Sequence, residues 1–171
     1  IQDLPTACDI GRKRSAKGRG MSWKGYKLHI AMDDHSIPVA AILTSASMND
    51  SEVAIPLACK ADNIVKNFYD VMDAAYDHRE IKEYSLSLGH IPIIDKCAHN
   101  QFQKEDILNE RMRCKLLNFK TAERIRYANR FPKERCNALY KDHYGGRNTL
   151  YRGHVKIFCH AMFGLLAMTA M

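Results

Sequence analysis

No apolar run in this 171-residue chain reaches the roughly 18 residues a membrane-spanning helix needs, and no signal peptide is recognisable at its start. A membrane protein is set aside on that ground, and a cytoplasmic location is the expectation. Closely spaced cysteines are also missing. The six cysteines stand at 8, 59, 97, 114, 136 and 159, none closer than 17 residues to another, so there is no CxxC unit and no zinc-finger spacing. Dispersed like this they read as reduced thiols that mostly fill the core. The eight histidines form no ligand cluster, and Cys159 and His160, being adjacent, cannot point the same way on a helix. No internal repeat is present, which removes the solenoid architectures. The initiating methionine is lacking too: the chain opens on Ile1 and ends inside an apolar run, Phe158 to Met171. The expectation is that the natural unit is longer.

Apolar residues make up 46% and charged residues 26%, enough for one packed domain with at most a small appendage, and not the composition of a disordered chain. The net charge of +7 is unevenly spread. Residues 1–27 carry +5, residues 28–110 carry −8 and residues 111–171 carry +10. Basic flanks around an acidic middle suit a polyanion gripped on either side of a site built from carboxylates. Two solvated basic faces give the same sums.

Residues 8–20, CDIGRKRSAKGRG, are rich in glycine and cations and read as a flexible basic loop. Tyr26–Met32 and Ile37–Thr44 are strand-like around the turn chemistry of Asp33-Asp34-His35-Ser36, which predicts an antiparallel hairpin. Asn49-Asp50-Ser51-Glu52 opens a helix expected to run to about Lys60. The run Phe68 to Met72 predicts a buried strand ending at Asp73, followed by a helix over 78–88 capped by Asp77 and ended by Gly89. Ile91–Asp95 predicts another strand, parallel to the last because a helix joins them. Helices are expected over 102–115, 132–143 and 153–171, the last a core helix. The whole predicts an α/β fold with a mixed sheet flanked by helices.

Two groups stand out chemically. Asp73 falls where a buried strand ends, the position at which ligands gather in open α/β sheets; a turn aspartate capping the next segment would look the same. Tyr127, Arg130, Glu134 and Lys141 follow the spacing Y-(2)-R-(3)-E-(6)-K. At about 100° per residue they fall within about 60° of arc on one helix face. Pro132 interrupts that reading: if the helix starts there, only Glu134 and Lys141 keep the geometry. An ordinary Arg–Glu pair on a solvated face is the plainer alternative.

The segments TSASMNDSEVAIPL, DVMDAAYD, GHIPIID, YANRFPKERCNALYK and YRGHVKIFCHAMFGLLAMTA, with LPTACDIG through WKGYKLHIA before them, follow one another in order. Together they resemble the catalytic domain of DDE-type insertion-sequence transposases with a Y–R–E–K signature. The resemblance implies a ribonuclease-H-like core in which two aspartates and a glutamate hold two divalent metal ions, Mg²⁺ or Mn²⁺. It implies that Asp73 is the second aspartate, Glu134 the glutamate, and Tyr127, Arg130 and Lys141 contacts to DNA phosphates. It further implies double-stranded DNA as partner (transposon ends and target), cleavage followed by strand transfer, and a homodimer acting on paired ends.

The strand that carries the first aspartate in such domains is expected before Ile1. The fold would then be incomplete, with residues 1–22 a basic linker and residues 23–171 a partial catalytic domain. Asp3 and Asp9 are the only acidic residues ahead of the hairpin, and the resemblance places Asp9 in a linker. Two further readings follow: a DNA-binding remnant that does not cut, and a ribonuclease-H-like nuclease that hydrolyses without joining. Arg12, Lys13, Arg14, Lys17 and Arg19, and on the far side Arg147, Arg152 and Lys156, either track phosphates or face solvent.

Overall fold

A computed structural model of the chain describes residues 4–14, 18, 20–95 and 101–170. It divides into two compact units, residues 1–66 with 132–171, and residues 67–131.

The first unit is built on three antiparallel strands, β1 (Asp9–Arg14), β2 (Gly20–Met32) and β3 (Pro38–Ser45), with helices α1 (Asp50–Asp62), most of α5 (Arg130–His143) and α6 (His154–Thr169). The β2–β3 hairpin turns where the sequence predicts: the Ile37 amide donates to Asp33 Oδ1 at 2.8 Å, and Ser36 takes φ +65°. Pro38 opens β3, where its missing N–H costs the ladder least, and the register slips beside it at Ala31/Met32. β2 changes partner along its length. Gly20–Gly25 pair with β1 and Tyr26–Met32 with β3, so no residue of β2 has a strand on both edges among the described residues.

β3 carries the burial. Ala40 through Ala46 are all buried, with Val53 and Ala54 of α1. An unbroken buried run of small and branched side chains is what a strand covered on both faces requires. Ala41, Tyr140, Ala161 and Leu165 form a cluster from β3, α5 and α6. Inside this apolar setting Thr44 Oγ1 lies 3.0 Å from His29 Nε2, each satisfying the other.

The second unit is a βαβ segment with two further helices: β4 (Tyr69–Met72), a 3-10 turn over Ala74–Tyr76, α2 (Arg79–Ser87), β5 (Ile91–Ile94), α3 (Gln101–Leu116) and α4 (Ala122–Ala128). β4 and β5 pair in parallel, as the intervening helix demands. Gly89, at φ +82°, ends α2 in the left-handed conformation that favours glycine.

Several expectations are corrected. Asp9–Arg14, expected inside the basic linker over 1–22, pairs as a strand. β4 is only partly buried, with Tyr69 and the preceding Phe68 exposed. His78, not Asp77, precedes α2; Asp77 instead pairs with Lys82. Residues 122–128 form a separate helix that the sequence did not announce. α6 buries only Ala161 and Leu165 and leaves Val155, Phe163 and Leu166 exposed, so it is a surface helix with one core stripe. Cys114 is buried, but Cys8 and Cys159 are exposed and so do not fill a core; Cys97, like Asp3, Lys17 and Arg19, lies outside the described residues.

Candidate functional site

Asp73 leaves the carboxyl end of β4 in extended backbone, φ −83° and ψ 175°, which turns its side chain back onto the next segment. The Ala75 amide donates to its Oδ1 at 3.0 Å, so Asp73 caps the 3-10 turn. The capping bond uses one oxygen. The other, Oδ2, lies 3.9 Å from Nη1 of Arg130, and the side chain is 42% exposed. The plain reading of Asp73 as a turn cap and the functional one are thus met by different oxygens.

α4 delivers the neighbours of Asp73. Thr121 caps this helix, its hydroxyl accepting from the Arg124 amide at 3.2 Å. Arg126 stacks over the Tyr69 ring, 4.4 Å from its centroid, which fastens α4 to β4. Tyr127 follows, and Arg130 Nη1 donates to its hydroxyl at 2.8 Å. Nη1 of Arg130 therefore sits between a carboxylate and a phenol hydroxyl. A guanidinium at such a place has the chemistry to take a phosphate oxygen.

The single-face reading of Y–R–E–K is corrected at this point. Tyr127 belongs to α4, Asn129 ends that helix, and α5 starts at Arg130. Tyr127 and Arg130 meet through the junction of two helices rather than along one. Pro132 falls in the first turn of α5, where the backbone N–H has no intrahelical partner anyway. Glu134 and Lys141 lie on α5 in the first unit, both exposed and seven residues, about two turns, apart, so they share a face. The structure thus brings together Asp73, Tyr127 and Arg130 in the second unit and aligns Glu134 with Lys141 in the first.

Asp73 and Glu134 offer the hard oxygen donors a divalent ion takes. Among the described residues, no three His, Cys, Asp or Glu side chains gather as a metal cage. The two acids are matched to such an ion in chemistry and incomplete as a set. Asp9 lies on β1, where its Oδ1 accepts from the Ile10 amide at 2.7 Å, and hydrogen bonds from Ser47 and that amide hold its pKa below the ordinary carboxylate value.

One cluster escaped the sequence. Asp70 Oδ2 lies 3.0 Å from Nδ1 of buried His90, and Asn67 donates to Asp70 Oδ1 at 2.8 Å. It ties the segment before β4 to the start of β5, and so sets the strand whose end bears Asp73. An aspartate inside the apolar run Phe68 to Met72 was the available signal, since a half-buried carboxylate needs partners.

Among the described residues, no helix is long and apolar enough to cross a membrane. The sequence matches the family described as Transposase DDE domain over residues 5–170. No curated protein and no solved structure matches the chain.

Proposed function

The chain belongs to the transposase DDE domain family, and from that premise we propose that it acts on double-stranded DNA, cutting the phosphodiester backbone at transposon ends and joining it to a target. The observation that carries this reading is Arg130 held between Asp73 and Tyr127 at the end of a parallel strand. Arg130 and Lys141 bind phosphate oxygens, the first as a fork and the second as a point charge. Tyr127 orients the Arg130 fork through its hydroxyl. The family generally uses divalent metal ions; Asp73 and Glu134 would each offer carboxylate oxygens to Mg²⁺ or Mn²⁺, which would supply charge stabilisation for the attacking and leaving oxygens. The working form is a homodimer on paired ends.

The test uses the longest natural form of the chain with Mg²⁺ and labelled duplex bearing the element's ends. Asp73→Ala and Glu134→Ala should each lower cleavage by at least about a hundredfold while leaving DNA binding in place. Undiminished cleavage in either variant sinks the assignment. Binding without any cleavage in the parent returns the non-cutting remnant. Hydrolysis without joined products returns a ribonuclease-H-like nuclease.

A further inference from the structure

The first unit carries an open groove of about 870 Å³, and none of Asp73, Tyr127, Arg130, Glu134 and Lys141 lines it. One wall is β2 around Trp23 and Lys24. The other is the Gly145-Gly146 turn and the segment leading into α6. The turn packs closely because it has no side chains. A Cβ at Gly146 would fall 2.3 Å from the Tyr140 ring, and one at Gly145 would fall 2.6 Å from His160 Nε2. Close packing fixes the wall: His160 Nε2 lies 3.3 Å from the Gly145 carbonyl oxygen, and its ring meets that of Tyr151 at 5.2 Å between centroids. Across the groove, Trp23 donates from Nε1 to the Tyr26 carbonyl at 3.4 Å and lies against Gly11, where any side chain would overlap the indole. Both aromatic residues are therefore held in position by the protein alone.

The charge of the lining has one sign. It holds Lys24, Arg147 and Arg152 and no carboxylate. Lys24 and Arg152 are exposed and make no ion pair among the described residues, while Arg147 is steadied by Asp142, which does not line the groove. Tyr151 is 54% exposed, so the contact with His160 leaves much of its ring available. Cations alone would suit any polyanion, duplex DNA included. Rings held in a concave surface add something a duplex cannot use, because its base faces are already stacked on one another. An unpaired strand offers both its phosphates and its base faces.

We propose that this groove binds single-stranded DNA, with phosphates on Lys24, Arg147 and Arg152 and bases stacked on Tyr151 and Trp23. It requires no metal ion. Trp23 is the sole tryptophan of the chain, so its emission reports occupancy directly. The test titrates the 171-residue chain, in EDTA, with an oligothymidylate of about twelve nucleotides and with a duplex of equal length. The single strand should quench Trp23 saturably and bind about tenfold tighter than the duplex. Tyr151→Ala and Arg152→Ala should each weaken single-strand binding by about tenfold, with unchanged circular dichroism. No saturable quenching, equal affinity for duplex, or unchanged affinity in both variants overturns the proposal. The assay reads no cleavage, so its failure is distinct from failure of the cleavage reading.

Discussion

The two units are stabilised differently. In the first, β3 runs buried from Ala40 to Ala46, with Tyr140, Ala161 and Leu165 packed on it, so apolar burial specifies the register. In the second, Ile81, Ile93 and Cys114 are the buried apolar residues described, while Phe68, Phe102, Leu108, Leu116, Leu117 and Phe119 are exposed. What fixes the second unit is polar: Asn67, Asp70 and His90 at one end of the strands, Arg126 on Tyr69, and Arg130 on Tyr127. The lesson is that Asp73, beside Arg130, rests on directional bonds with little apolar support, whereas the groove with Trp23 sits on a conventional core. Directional bonds hold geometry tightly and fail abruptly when one partner is lost.

The contrast predicts three responses in descending order. Leu165→Ala, at a site 5% exposed, should cost about 3 kcal/mol and lower the main thermal transition, while Leu116→Ala, 85% exposed in the second unit, should stay within about 0.5 kcal/mol. Equal costs would erase the difference between the units. His90→Ala removes the partner of a half-buried carboxylate and should cost about 1–3 kcal/mol. Hydrogen exchange should localise that loss to β4 and β5, leaving β2 and β3 protected; uniform loss would show that the polar cluster serves the whole chain.

The smallest effect is a pH dependence of the first unit. Burial lowers the pKa of His29 below its ordinary value of about 6.5, outweighing Asp50, whose Oδ1 lies 3.5 Å from Nδ1 and pulls the other way. The unfolded chain therefore binds the proton more readily. The stability contributed by neutral His29 is complete above about pH 6.5 and is lost as pH falls toward the folded pKa. Chemical denaturation between pH 7.5 and 5 should show this slope flattened in His29→Gln; identical slopes would exclude His29 as its source.

The legible parts of the fold were those set by local pattern. The Asp33–Ser36 turn, the paired runs around it, and a helix between two short apolar strands all follow from periodicity and turn chemistry. β1 did not, because its sequence DIGRKR has no alternating apolar face. It forms a strand by pairing with β2 and by letting Trp23 lie on Gly11, which are tertiary facts. The break between α4 and α5 was equally hidden, since nothing in Tyr127 to Phe131 is a strong helix breaker and Pro132 pointed two residues too late. Of the site, Asp73 was readable as a strand end. Tyr127 and Arg130 were expected on one helix face; the bond between them, made across a helix junction, was not readable.

Asp73 lies in one compact unit and Glu134 in the other. A sequence change that opens only residues 67–131 would disorder the segment that bears Asp73 while the larger unit still melts as a cooperative body. A melting curve dominated by the larger unit would then carry no trace of that loss.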